Sequence, residues 1–323
     1  MRNLSIILFM PALLSLSMFT SCSLVKSTTL NITGELISDG SDEVFTEANL
    51  EFFKKAVPGN LKLIEGLWFG EQDNEVLLLM LIKGHAGYTF ASTETDSYRE
   101  ILLEEDSYKR EQTLLSYEKA IYYGHKYLAL KGISKDEFYK KEFPQHLVKR
   151  FETELDATDY PAIFYFAQAL GSSINLQRQN IKKMANLNHV KTMLNWVCAK
   201  DPSMEGGNCR LFQSIIEAST PTILGGSPKK AKNLFKSFMN DYPFNLLARL
   251  SYIQFHLIPL LEEDEYTIEM QKLKKDIDLW YQFQVGNINK ANSGFAKARQ
   301  FNLYNAVAKE RFHILKKLEK EIF

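Results

Sequence analysis

Apolar positions recur along most of this chain at steps of three and four, the spacing of one face of an α-helix. Between Glu75 and Ala91 they fall at Leu78, Leu81, Ile82, Ala86 and Phe90, and between Glu111 and Lys131 at Leu115, Ala120, Tyr123, Tyr127 and Leu130. Asn186 to Ala199 repeats the pattern with Val190, Met193, Leu194 and Val197, and Glu265 to Trp280 with Met270, Leu273 and Ile277. The last helix, Leu303 to Ile322, has a stripe of Val307, Ile314, Leu315, Leu318 and Ile322. Ala162 to Leu176 is apolar, with Ala167, Ala169, Gly171 and Ser172 as small contacts. No stretch reads as a strand. The pattern predicts an all-α fold of helical hairpins.

Turn residues divide these helices. Pro58-Gly59-Asn60 is expected to end one at Val57 and start a second over Leu61 to Phe69. Gly84 and Gly87 each cost a helix about 1 kcal/mol, which predicts close approach by a neighbouring helix. Ser92 to Arg110, acidic and then mixed in charge, reads as an exposed insertion. Pro221 to Pro243 is the most legible segment. A Gly225-Gly226 turn leads to Ser227 as N-cap and Pro228 in the first helical position, and Ala231, Phe235 and Phe238 then share one face. With Pro243 the run resembles the second half of a tetratricopeptide repeat, so stacked neighbours are expected. The Gly-Gly turn lacks dinucleotide-loop or P-loop spacing and reads as a hairpin turn rather than a phosphate site.

Arg2 followed by apolar Leu4 to Leu16 reads as a secretory signal, too short for a membrane span. It runs into Thr20-Ser21-Cys22, which resembles the bacterial lipoprotein box. The expectation is a signal peptide over 1–21, acylation at Cys22, a flexible tether over 22–44 and a single helical domain over 45–323. The tether would reach roughly 25 Å. Ser23, where aspartate would retain a lipoprotein at the inner membrane, points to a lipid-anchored, periplasm-facing protein of the outer membrane.

Lys+Arg and Asp+Glu balance at 39 each, so no net field favours nucleic acid. Cys198 and Cys209 remain, eleven positions apart across a loop-like spacer. An oxidising envelope favours a disulfide between them, the alternative being two separate buried thiols. No CxxC or nearby histidine supplies a metal set, and the six histidines are scattered without a catalytic spacing. No nucleophile, base and pocket come together, so no enzyme and no cofactor is expected. Phe164-Tyr165-Phe166 turns around all sides of its helix, and Trp196 is isolated. These rings either pack between hairpins or line an apolar cleft.

Four ordered stretches resemble the T component of TRAP transporters, the TatT-like periplasmic lipoproteins. They are Leu81 to Ala91 with Tyr117 to Ala129, Asp159 to Leu176, Leu224 to Phe238, and Leu303 to Phe323. The family's pattern carries a tryptophan where Leu170 stands, and often one at Tyr165. The resemblance implies a tetratricopeptide-like, α-solenoid-type bundle that assembles as a trimer and partners a periplasmic solute-binding protein. It also implies a cleft or pore for a small apolar ligand, for which Phe164, Tyr165, Leu170 and Trp196 are candidate lining residues. The alternative is a scaffold for envelope assembly without a small ligand.

Overall fold

The computed structural model describes residues 40–140, 142–287 and 294–323; the expected signal peptide, Cys22 and most of the tether lie outside the described residues. Helices α1 (Leu50–Phe69), α2 (Glu75–Tyr88), α3 (Tyr108–Leu130), α4 (Phe143–Glu154), α5 (Tyr160–Leu176) and α6 (Leu187–Lys200) build the first half. Helices α7 (Asn208–Ser219), α8 (Pro228–Asp241), α9 (Leu246–Tyr252), α10 (Glu263–Gln284) and α11 (Asn302–Lys317) complete it. The fold is all-α, and the described residues contain no strand.

Side-chain oxygens start several of these helices by accepting otherwise unsatisfied backbone N–H groups. Asn49 accepts from Phe52 N–H at 3.1 Å, Asn74 from Leu77 N–H at 3.0 Å and Ser107 from Arg110 N–H at 3.2 Å. Ser227 accepts from Lys230 N–H at 3.3 Å, the cap its Ser-Pro start predicts. Gly225 adopts φ 86°, and a Cβ on Gly226 would fall 1.9 Å from the Thr220 carbonyl, so the turn before α8 needs glycine at both positions. Ala231, Phe235 and Phe238 are fully buried.

Two expectations fail. Pro58 does not end a helix: α1 runs through it for 20 residues. The proline removes a backbone hydrogen bond, but Phe53 before it and Leu61, Ile64 and Trp68 after it are all buried, and this burial holds the helix through the defect. Nor is Ser92–Arg110 an exposed insertion. Thr95, Ser97 and Tyr98 are fully buried, and the segment continues α2 through a π-helical turn at Thr89–Thr93 into short helices at Glu94–Asp96 and Tyr98–Leu102. Its charge misled because Asp96, Glu104, Glu105 and Asp106 stay exposed while Thr95, Ser97 and Tyr98, and Glu94 with its partner Arg311, pack inward. As for the two glycines of α2, α1 does approach Gly84, through the Leu61 side chain, whereas Gly87 faces open space.

Packing is mostly between neighbours: α1 on α2, α2 on α3, α3 on α5, α5 on α6, then α7 on α8, α8 on α9, and α10 and α11 against α9. Two apolar cores result. The first joins α2, α3, α5 and α6 through residues such as Leu78, Tyr117, Phe166 and Val190; the second joins α8 to α11 through Phe235, Tyr252, Leu273 and Val307. Leu50, Phe53 and Tyr98 belong to the second core although they lie early in the chain. The C-terminal helix α11 therefore returns against the N-terminal elements. The last residues assigned to the tether are part of this packing: Ser41–Thr46 form a 3-10 turn beside α11, and Asn302 donates to the Thr46 carbonyl at 3.0 Å.

Cys198 at the end of α6 and Cys209 at the start of α7 form a disulfide, with Cα atoms 5.7 Å apart. It closes the Asp201–Gly207 loop, in which Glu205, Gly206 and Gly207 run successively through the left-handed region (φ 51°, 64° and 82°).

Candidate functional site

A cleft of about 440 Å³ lies between the two cores. Helix α5 presents Phe164, Gln168, Gly171, Ser172 and Asn175 to it, positions spaced 4, 3, 1 and 3 apart along one helix face. Opposite stand Leu211, Phe212, Ile215 and Ile216 of α7 and Leu247 and Ser251 of α9, with Tyr304 and Arg311 reaching in from α11. Apolar side chains make up most of the wall. A volume in the range of ligand pockets, an apolar lining and a few convergent polar groups are the usual marks of a binding site.

Two π-helical turns border this cleft. The first, Thr89–Thr93, ends α2 and contributes Phe90, followed by Glu94; the second, Ile253–Leu257, ends α9 and contributes Gln254 and Phe255, followed by Ile258. A π turn fits an extra residue into a helix, re-aims the side chains after it, and is concentrated at functional sites.

The deepest charged pair is Arg311 with Glu94. Arg311 is 2% exposed; its Nη1 donates to Glu94 Oε1 at 2.9 Å, Nε to Thr95 Oγ1 at 3.0 Å and Nη2 to the Phe90 carbonyl at 2.6 Å. Its guanidinium also lies over the Phe90 and Tyr98 rings, 4.5 and 5.1 Å from their centroids. The Tyr117 hydroxyl donates to the other Glu94 oxygen, and burial pushes its pKa far up, so it stays a neutral donor. Tyr98, also raised by burial, donates to Gln254 Oε1 at 3.1 Å. One network thus ties the first π turn to α3, α9 and α11. At the edge of the cleft Arg178 pairs with Glu104, a residue held at φ 57°, and Gln179 donates to the same carboxylate at 3.1 Å.

The four aromatic and aliphatic candidates from the sequence do not share one place. Phe164 is on the cleft wall. Tyr165, one residue on, points away, with the Lys83 ammonium 5.8 Å from its ring, and Leu170 is buried within the first core. Trp196, also buried in the first core, stands edge-on to Phe151 and Tyr160 and donates to Glu152 at 2.8 Å. Sequence reasoning missed Glu94, Gln168, Gln254 and Arg311. Two were signalled: Arg311 is four residues after Val307 on the apolar stripe of α11, and Gln168 is an amide set among apolar residues in the middle of α5.

Other sites offer less. A groove of about 920 Å³ along Glu47, Phe52, Phe53, Phe283 and Arg299 is wide open to solvent. The amino end of α8 is already served by a carboxylate: Glu217 accepts from Ser227 N–H at 3.0 Å and pairs with Lys230 at 3.1 Å. Among the described residues no group of His, Cys, Asp and Glu side chains is arranged to hold a metal ion, and no helix is long and apolar enough to cross a membrane.

A search of curated proteins gives no match to this chain. A family model described as the TRAP transporter T-component matches residues 46–323, nearly the whole of the described fold. The chain therefore belongs to the TRAP transporter T-component family, accessory components of TRAP transport systems rather than a known family of enzymes.

Proposed function

We propose that this protein is a lipid-anchored, ligand-binding accessory subunit of a TRAP-type uptake system, holding a small, mainly apolar molecule in the cleft between its two cores. The observation that carries this reading is the cleft itself: about 440 Å³, walled by Phe164, Leu211, Phe212 and Ile216, with its charged side chains paired to one another. An apolar ligand gains roughly 25 cal/mol for each Å² it removes from water there.

In this reading Cys22 is acylated after removal of residues 1–21, and the protein faces the periplasm from the outer membrane. A periplasmic solute-binding protein is the partner that delivers or receives the ligand, and the tetratricopeptide-like packing supplies the docking surface. Assembly as a trimer follows the family resemblance.

The test is affinity purification of the tagged full chain from its native envelope, followed by native mass spectrometry of the eluate. Co-elution of a solute-binding protein and a small bound mass supports the proposal. Recovery of envelope-assembly proteins with an empty cleft would support a scaffold instead.

A further inference from the structure

The charges around the cleft are already spent on one another. Its lining holds two cations, Arg178 and Arg311, and two carboxylates, Glu94 and Glu104, so they sum to zero. Arg311 is bound by Glu94, Thr95 and the Phe90 carbonyl, and Arg178 by Glu104. An anionic head group would meet Glu94 without an uncompensated cation, and a cationic one would compete with Arg311 for that carboxylate. Either ion would lose its hydration without a free countercharge.

Neutral hydrogen-bonding capacity, by contrast, is left over. Gln168 is 6% exposed and lines the cleft, and its side chain makes no hydrogen bond to any described residue. The Ser251 hydroxyl, 4% exposed on α9, is likewise without one. Gln254 accepts from Tyr98 through Oε1 and keeps its amide N–H₂ as a donor. None of these polar atoms is among those sealed from solvent without a partner, so they are presented to whatever fills the cleft. A carboxamide presented in this way is matched best by a group that both donates and accepts.

We infer that the ligand is an uncharged amphiphile, an apolar body carrying one neutral head such as a carboxamide or hydroxyl, and that Gln168 is the residue that reads the head. This rests on the proposed ligand-binding role of the cleft and narrows it to a chemical class. Selectivity against ions follows from the satisfied Glu94–Arg311 pair, and attraction of the neutral head from the Gln168 amide that faces the cleft without a protein partner.

Three probes of near-equal size separate the outcomes: octanamide, octanoate and octylammonium, titrated calorimetrically into the full chain in lipid nanodiscs with empty nanodiscs as the blank. Octanamide should bind at least about tenfold more tightly than either ion, one good hydrogen bond's worth of affinity. Gln168→Leu should lose that advantage, and Gln168→Glu should shift the preference to octylammonium, each with the wild-type circular dichroism spectrum. Octanoate binding as well as octanamide, or octanamide affinity unchanged in both Gln168 variants, would overturn the head-group assignment while leaving the cleft as a binding site. Failure of all three probes to bind at millimolar concentration overturns the ligand-binding reading as well.

Discussion

Arg311→Met isolates the contribution of the buried pair to the fold. The substitution keeps an unbranched side chain over the Phe90 and Tyr98 rings but removes three hydrogen bonds and one charge. Glu94 is then left with the Tyr117 hydroxyl as partner, and the Phe90 carbonyl within the π turn loses its donor. Removing one partner of a buried ion pair costs about 3–5 kcal/mol, chiefly for the charge left behind. Neutralising that charge should recover most of the loss, so Glu94→Gln combined with Arg311→Met should be more stable than Arg311→Met alone by about 2 kcal/mol or more. Urea unfolding of the three proteins at pH 7 measures this. A loss below about 1 kcal/mol for Arg311→Met, or no recovery on adding Glu94→Gln, would refute the view that this pair pins α11 to α2.

Other consequences can be measured on the same protein. Burial lowers the pKa of His85 and of His125 to about 4, with the Lys119 and Lys135 ammonium groups respectively adding to the effect. The unfolded chain therefore takes up these protons first: stability is intact above about pH 6.5 and falls as pH drops toward 4, by about 2 kcal/mol per histidine at pH 5. His125→Phe, which keeps a ring beside Phe138 and Phe166, should remove the about 2 kcal/mol that this histidine loses at pH 5, and an unchanged pH slope would count against it. Replacing Cys198 and Cys209 together by alanine opens a closed loop with a sequence separation of 11 and should cost about 3 kcal/mol, seen as a lower urea midpoint. Phe235→Ala empties a fully buried position between α8 and Tyr252 and should cost about 3–5 kcal/mol; a loss under 1 kcal/mol would mean the second core closes over the gap.

By itself the sequence determined the helices and their punctuation. Stripes at steps of three and four, the capped Ser227-Pro228 start and the Ala231–Phe235–Phe238 face are local properties, written within about one turn of chain. The pairing of Cys198 with Cys209 was legible as the favoured of two readings, from the pair left once Cys22 is set aside and the loop-like spacer between them. What the sequence could not decide was which charges are exposed and which helix faces meet. Glu94 looks like part of a solvated acidic run because its partner Arg311 is more than two hundred residues away, and the π turn that aims it arises only when α2 packs. Tyr165 and Trp196 look like cleft aromatics for the same reason that Gln168 does not look like a ligand contact. A ring on a helix can face any neighbour, and only the meeting of α5 with α7, α9 and α11 selects the wall on which Phe164 and Gln168 lie. Pro58 marks the same limit from the opposite side, since burial of Phe53, Leu61 and Trp68 outweighs the single backbone hydrogen bond it removes. Local chemistry fixed the elements; long-range burial fixed the cleft.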